Sequence, residues 1–547
     1  MKKANLVDSE LLLLKIKTLE EENRNLKNKT IYGLVFERHE ELNSMVYPLL
    51  KKKGTILKEP DKETNYLIQG DNYDALRLLS YAKKKYDLIY IDPPYNTGSK
   101  DFKYNDSFVE LDDKFKHSKW LSFMEKRLQL AAALLNDNGI IFISIDENEF
   151  AQLKLLCDSI FHEDNLVDIF YRKKSDNPAS LSRTKSTYEP VLAYFKKEKF
   201  KIGELKDGEH APLLKESNSI KELKILKTAI VYDKSLEKNG FLDKNGEFLS
   251  KKIKQSKIKI VQSDSEYITL KGKFVWTQKK LDNEINDGAK IILKATKDKN
   301  DLNVRYLKGK PIFSLAQNII NKELQGVGTN EDGSSDLEKV IGKSGFSYPK
   351  PVSLIKYFLR CINNKNAKIL DFFAGSGTTG QAVMELNVED EGSRTFTLIT
   401  NNENNICEEI TYRRVKSVIE QQKLEENLQY LEVIESSDPN LYRNSEELSC
   451  LAEFVGSNKI TNLKKTYYGF ISEEYALLQE PAEVKSLIDD LMKKPKVKTV
   501  FIFSSEPDED SAALIELKDH LRLNKVRKIQ LVRDYVKSFD KNKGTLC

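Results

Sequence analysis

The chain has 547 residues, of which 39% are hydrophobic and 32% charged. That length suits about three or four domains, and the apolar share excludes a wholly disordered chain. No run of about 18 apolar residues occurs, so no transmembrane helix is expected. The short run Leu11–Leu14 is too brief for a signal-peptide core. Five scattered cysteines without a CxxC pair, and five histidines with none at ligand spacing, argue against a disulfide framework and against a metal site. They fit a reducing, cytoplasmic setting. The net charge of +5 conceals an asymmetry: residues 200–310 hold 25 Lys+Arg against 16 Asp+Glu, and residues 385–460 hold 7 against 16. A basic block of this kind suits a polyanion, and a solvated lysine-rich surface is the plainer alternative.

In chain order, residues 9–29 read as a charged helix. Leu12, Ile16, Leu19, Asn23 and Leu26 form a short heptad seam with Asn23 at an a-type position. The segment 1–60 is therefore expected to be helical, serving dimerisation or else packing on its own domain. From 61 to 195 an α/β rhythm is expected, with strand Tyr66–Gln69, helix Asn72–Ala82, strand Tyr86–Asp92, helix Trp120–Leu135 and strand Ile140–Ile145. Continuous apolar runs such as YDLIYID mark strands buried on both faces of a parallel sheet. The strand–helix alternation predicts a doubly wound α/β fold. Residues 196–340 lose the rhythm and read as an inserted domain with short strands at Lys257–Gln262 and Tyr267–Leu270, and Gly326–Ser335 as its exit linker. The rhythm resumes over 341–435: helix Leu354–Asn363, strand Lys368–Phe373, helix Thr378–Leu386, strand Thr395–Thr400 and a helix over 409–426. Residues 436–547 are expected to form a small accessory α/β domain, with strands Val497–Phe503 and Lys528–Val532 around helix Ala512–Leu523.

Two motifs carry chemistry. Asp92-Pro93-Pro94-Tyr95 follows directly on an apolar strand, and ligands bind at the carboxyl ends of strands in doubly wound sheets. Two prolines remove backbone donors and stiffen the loop. A carboxylate, a free carbonyl and an aromatic ring together suit a flat base bearing an exocyclic amine, with Asp92 and the Pro93 carbonyl accepting and Tyr95 stacking. The second motif, Asp371-Phe372-Phe373-Ala374-Gly375-Ser376-Gly377-Thr378-Thr379-Gly380, runs a strand through glycines into a helix. Gly375, Gly377 and Gly380 also satisfy GxGxxG. A carboxylate ahead of those glycines would repel a pyrophosphate, so a cationic sulfonium nucleoside fits better than NAD.

DPPYNTG followed far downstream by DFFAGSGTTG resembles the amino-methyltransferases of DNA that use S-adenosylmethionine, and the motif order resembles their β group. Tyr32–Glu37, Asp92–Lys103 and Phe346–Pro351 (FSYPKP) resemble the modification subunits of Type III restriction systems. The resemblance covers roughly 30–195 and 341–420. It implies that Asp92, Pro93, Pro94 and Tyr95 form the methyl-acceptor site. It also implies that Asp371, Phe373, Gly375 and Gly377 hold the methionine part of S-adenosylmethionine, and that Asp71 and Asn72 lie near its adenine. Asn402 and Glu403 stand where a ribose-binding acid is expected, and Ser144–Glu147 resembles a motif lining the base pocket. Phe102 and Tyr104 are candidates for the far face of the base. Asp rather than Ser at the first motif position points to adenine N6. The implied partners are double-stranded DNA, held by a target-recognition domain over 196–340, a separate helicase–nuclease subunit and a second copy of the chain. No GxxxxGK[ST] occurs in the chain, so P-loop ATP hydrolysis is not expected of it.

Overall fold

The computed structural model describes residues 36–39, 47–97, 103–104, 107–108, 113–176, 185–206, 211–213, 218–243, 248–249, 257–296, 301–309, 312–436 and 445–456, with shorter stretches between 464 and 531. The heptad seam and Phe102 lie outside the described residues. Chain contacts divide the molecule into one unit comprising residues up to 200, 317–359 and 364 onward, and a second comprising 201–316 and 360–363.

The first unit is built on a ten-stranded mixed sheet. In chain order its elements are β1 (Tyr47–Ile56), β2 (Thr64–Gln69), α1 (Asn72–Tyr81), β3 (Tyr86–Ile91), α2 (Lys116–Leu134), β4 (Leu135–Ser144), α3 (Phe150–Phe161), β5 (Leu166–Lys173) and β6 (Tyr188–Phe195). They continue after the second unit with β7 (Ile319–Ile320), α4 (Asn330–Ile341), α5 (Val352–Cys361), β8 (Lys368–Asp371), α6 (Thr378–Asp390), β9 (Thr395–Thr400), α7 (Arg413–Gln421) and β10 (Asn427–Ser436). The spatial order is β1-β10-β2-β9-β8-β3-β4-β6-β5-β7. The run from β10 to β4 is parallel throughout, which matches the unbroken burial of β2 and β9's core and of the apolar face in β3. This is the doubly wound α/β sheet that the residue pattern predicts.

The connection leaving β3 runs outward to β4, and the one leaving β8 runs the other way to β9. Strands β8 and β3 are adjacent, with Ile369 opposite Leu88 and Leu370 opposite Ile89. They form the topological switch point, where parallel strands diverge and a crevice opens beyond their carboxyl ends.

Three boundaries differ from the sequence reading. The expected helical segment 1–60 contributes β1, an edge strand antiparallel to β10. Its first four residues are buried and its lysines exposed, and a lysine-studded edge strand reads as a polar stretch although the lysines protect the open edge. The expected exit linker is largely α4. Thr329 and Asp332 form a capping box. Gly333 is there for close approach, since a Cβ on it would fall 2.1 Å from the Pro349 carbonyl oxygen. Residues 317–340, expected inside the insertion, thus belong to the first unit, and β7 pairs with β5. Helix Ser445–Gly456, expected within the accessory domain, buries Leu448, Leu451 and Phe454 in the core of the large sheet, with Phe454 packed edge-on to Tyr66 at 5.1 Å. Farther on, strands Lys464–Lys465, Gly469–Ile471, Tyr475–Leu478, Thr499–Ile502 and Lys528–Leu531 form a separate five-stranded sheet. The helix expected over Ala512–Leu523 falls mostly outside the described residues.

The second unit is a β-rich body with its own core, centred on Leu223, Ile225, Phe241, Leu270, Trp276 and Leu293. It contains a three-stranded sheet of Lys221–Leu226, Tyr267–Gly272 and Lys259–Ser263. A four-stranded sheet includes Lys290–Ala295 and Leu302–Leu307. Alternating burial in these strands gives one apolar and one lysine-bearing face.

Candidate active site

Asp92 stands one residue past β3 and Asp371 closes β8, so the switch point sets side by side two carboxylates that are far apart in the chain. The DPPY loop is held rigidly. Trp120 of α2, fully buried, donates its indole N–H to the Pro94 carbonyl at 2.8 Å. Asn96, in the left-handed region at φ 57°, donates to Glu149 Oε1 at 2.6 Å. Asn and Asp tolerate that conformation better than most residues, so the residue after the motif turns the chain away without a glycine.

Both oxygens of Asp92 are engaged. The Tyr95 hydroxyl donates to Oδ1 at 2.7 Å and the Lys350 ammonium to Oδ2 at 2.6 Å. Lys350 also donates to the Tyr95 oxygen at 2.9 Å and lies 5.2 Å from the centre of its ring. Burial first, and then Asp92, push the Tyr95 phenol well above its ordinary value, so the hydroxyl remains a donor at any physiological pH. Behind Lys350, at 3.8 Å, sits the buried Glu189, which is paired in turn with the buried Arg172 at 2.8 Å. Burial alone would raise the Glu189 pKa, but Arg172 and Lys350 together hold it below the usual value. Two carboxylates and two cations thus form a neutral row, the arrangement that makes buried charge tolerable.

Lys350 was not assigned a role from sequence, although it sits in FSYPKP. Its backbone carbonyl accepts from Thr378 at 3.1 Å, so one residue ties the DPPY loop to the helix that follows the glycine turn. Only the fold reveals this, because the three segments are distant in sequence.

Asp371 accepts from the Thr379 hydroxyl at 2.5 Å and from the Phe373 amide at 3.1 Å. Burial raises its pKa to about 7 against those donors, and Asp92 adds to the rise. Among the described residues no lysine or arginine pairs with it. An enclosed carboxylate with neutral donors and no cation is matched to a cationic ligand. Gly375 and Gly377 adopt φ 48° and 77°, and a Cβ on Gly377 would also fall 3.1 Å from Thr411 Cγ2. Both positions therefore require glycine. Beneath the turn, the buried Arg414 donates to Gln381, Ser376 and Thr378, and burial lowers its pKa to about 10. Gly380 serves packing, since a Cβ there would meet Leu398 and Val415 at 3.1 and 3.2 Å.

Asp71 caps α1 through the Tyr73 amide at 2.7 Å, and Asn72 donates to the Phe372 carbonyl at 2.9 Å. Arg127 of α2, almost wholly buried, reaches Asn72 at 2.5 Å and Asp71 at 3.2 Å, and stacks on Phe123 at 3.6 Å. Phe123 in turn packs against Phe373 at 6.1 Å. The fold thereby joins Asp71, Asn72 and Phe373 through an arginine that the helical pattern alone would place at the surface. Asn402 caps locally, its side chain accepting from the Glu408 amide at 3.1 Å, and Glu403 is exposed. A π-helical turn, Ile406–Tyr412, stands where a plain helix was expected, and such turns concentrate near functional sites. Ser144 bonds Tyr90 of the neighbouring strand at 2.8 Å and Asp146 caps Asn148 at 2.9 Å, so both make structural bonds. Tyr104 lies in a two-residue strand, Lys103–Tyr104, paired with Ser107–Phe108.

Comparison with known proteins gives this pairing of motifs a context. A DNA methylase family model (N6_N4_Mtase) matches residues 86–411, more than half of the chain. The chain belongs to the DNA methylase family. It is 33% identical over 388 residues to the Type III restriction-modification enzyme StyLTI Mod subunit of Salmonella typhimurium, covering 63% of this chain and 53% of that protein. It is 30% identical over 409 residues to the EcoPI Mod subunit of Escherichia phage P1, covering 63% and 59%. The Type II methyltransferase M.KpnI of Klebsiella pneumoniae is 30% identical over 361 residues, covering 62% of this chain and 82% of that protein. The match to the two Mod subunits thus spans between half and three-fifths of their length. The DNA methylase match takes in both motifs, FSYPKP and the whole second unit. Among the described residues no helix is long and apolar enough to cross a membrane.

Proposed function

We propose that this DNA methylase transfers a methyl group from S-adenosylmethionine to adenine N6 in duplex DNA, as the modification and recognition subunit of a Type III restriction system. The observation that carries the reading is the meeting of Asp92-Pro93-Pro94-Tyr95 with the uncompensated Asp371 and its glycine turn at one switch point. The Mod relatives support the Type III assignment and with it a separate restriction subunit as partner. The basic second unit suits contact with phosphates, which would set affinity and its salt dependence. The cytoplasm is the proposed setting, and a second copy of the chain the proposed oligomer partner.

S-adenosylmethionine, when bound, supplies a methyl group already activated on a sulfonium. Asp371 would sit near its cationic part, Gly375 and Gly377 would let backbone approach it closely, and Asp71, Asn72 and Phe373 would frame the neighbouring space. Asn402 and Glu403 would stand at the ribose. The remaining work belongs to the acceptor side. An exocyclic amine is a weak nucleophile because its lone pair is delocalised into the ring. Asp92 accepts one amine hydrogen and the Pro93 carbonyl the other, which favours a pyramidal nitrogen and frees the lone pair. Asp92 then offsets positive charge growing on nitrogen. Tyr95 stacks on the base, and Pro93 and Pro94 hold the acceptors in place without reorganisation. Lys350 holds one oxygen of Asp92, so an entering amine would displace that hydrogen bond and Lys350 would turn toward Glu189, 3.8 Å away. The base must leave the duplex, at a cost of a few kcal/mol.

The test is methyl transfer from labelled S-adenosylmethionine to unmethylated duplex DNA, followed by nucleoside analysis. N6-methyladenine is expected. N4-methylcytosine would move the assignment to the other amino base, and no transfer in the presence or absence of a restriction subunit would reject the reading.

A further inference from the structure

Five residues beyond α4, at Phe346, the chain enters the segment that carries Lys350. Within it Tyr348 is 77% exposed, more than any other large hydrophobic or aromatic side chain among the described residues. Its backbone lies at φ 57°. A bulky side chain in that region is uncommon and strained, and persists only where the surroundings impose it. Those surroundings are visible on both sides. Upstream, Phe346 packs with Leu337, Ile341 and Ile410 and lies against the cofactor turn, 3.4 Å from where a Cβ on Gly375 would stand. Downstream, Pro349 and Lys350 are buried. The Lys350 carbonyl is bound by Thr378 and its ammonium by Asp92 and Tyr95. An aromatic ring is therefore held outward in a strained conformation, two residues from a side chain that touches the acceptor motif. Two residues of chain span at most about 7 Å, so Tyr348 stands at the rim of the acceptor site.

An exposed tyrosine on a mobile loop would carry no message. One clamped between buried neighbours is preorganised for a contact the isolated chain does not make. The partner's chemistry follows from the position. If the site extracts a base from a duplex, it leaves a gap in the base stack beside the rim, and a flat ring with a polar tip suits such a gap. We infer that Tyr348 inserts at the modification site and stacks in the place the target base vacates, holding the base out of the helix. The inference rests on the DNA-methyltransferase reading and deepens it by naming a residue that acts on the duplex.

The experiment uses the full-length protein with duplexes carrying its recognition site, read by modified-base sequencing of DNA the enzyme has methylated. Tyr348→Ala is expected to lower methyl transfer to a fully paired duplex by about tenfold, within the range of one base–aromatic stack. Affinity for S-adenosylmethionine should be unchanged. With the target adenine opposite an abasic position, already unpaired and so easier to extract, the deficit should shrink to within about threefold. 2-Aminopurine at the target position should brighten on binding wild-type protein and less with the variant. Tyr348→Phe and Tyr348→Trp should retain activity. Tyr348→Gly should lose it while unfolding at the same or a higher temperature, because glycine relieves the positive φ. Equal deficits on paired and abasic duplexes, or an unaffected Tyr348→Ala enzyme, would overturn the inference while leaving the methyltransferase reading intact. A wild-type enzyme that methylates neither duplex would overturn both.

Discussion

Replacing Lys350 by methionine removes one cation from a row of two carboxylates and two cations. The ammonium lies 2.6 Å from Asp92 and 3.8 Å from Glu189. At an effective dielectric of about 20 the first contact alone represents roughly 6 kcal/mol of gross attraction. Much of that is offset by desolvating the lysine, which is 8% exposed, and by water at Asp92, which is 27% exposed. Breaking such a pair by deleting one partner costs about 3–5 kcal/mol when both ends are buried, so about 3 kcal/mol is expected here. Lys350→Met with Asp92→Asn restores charge balance and should recover about 2 kcal/mol of the summed losses, a coupling of the size contacting pairs show. The pH dependence has a definite sign. Glu189 is held below its ordinary value, so its contribution is present above its unfolded pKa of about 4.3 and lost as pH falls through the lower folded value. The variant holds Glu189 down less well, and its gap from wild type should be widest near neutrality and narrow below about pH 4. Denaturant unfolding of the four proteins across pH measures this. A Lys350→Met protein within about 0.5 kcal/mol of wild type, with additive double-mutant behaviour, would refute the reasoning.

Asp92→Asn should abolish methyl transfer, with a loss of at least a hundredfold in kcat, while leaving S-adenosylmethionine affinity within about twofold in equilibrium binding. Asp371 behaves oppositely. Its folded pKa of about 7 is raised by burial, so the stability it contributes below pH ~4 is lost as pH rises through about 7. Asp371→Asn should therefore be at least as stable as wild type at pH 8 yet bind the cofactor at least tenfold more weakly, and this binding deficit should fade below pH ~6, where wild type is protonated too. Calorimetric titration at pH 6 and 8 separates the two effects. Gly377→Ala places a Cβ 3.1 Å from Thr411 at φ 77° and should cost about 1–3 kcal/mol in thermal unfolding, together with cofactor affinity. Trp120→Phe removes the hydrogen bond to Pro94 and should lower kcat by about tenfold with little change in stability beyond about 1–2 kcal/mol, as checked by steady-state kinetics and melting.

Much of the architecture was legible because it is written in contiguous residues. β3, β8 and β9 are short apolar runs, and their identity as buried parallel strands follows from composition over six residues or fewer. Asp92–Tyr95 and Asp371–Gly380 each place a strand end, a turn and polar groups within a few positions, so their chemistry could be read locally. β1 was not legible because three consecutive lysines in a one-sided edge strand make it read as a polar stretch. α4 was not, because its glycine and serines resemble a linker until the packing of Gly333 against Pro349 is seen.

By itself the sequence determined the doubly wound class, the order of the two motifs and the residues that offer acceptors to an amine or a carboxylate to a cation. Local pattern decides those features, since burial periodicity and turn chemistry act over one element at a time. Tertiary structure decided that β3 and β8 are neighbours, that Lys350 bridges the acceptor loop to the helix after the glycine turn, that Arg127 is buried between Asp71 and Phe123, and that Tyr348 is held outward. Each of these depends on groups separated by tens to hundreds of residues. Their electrostatics arise only when folding brings the charges within a few ångströms and excludes the water that would otherwise screen them.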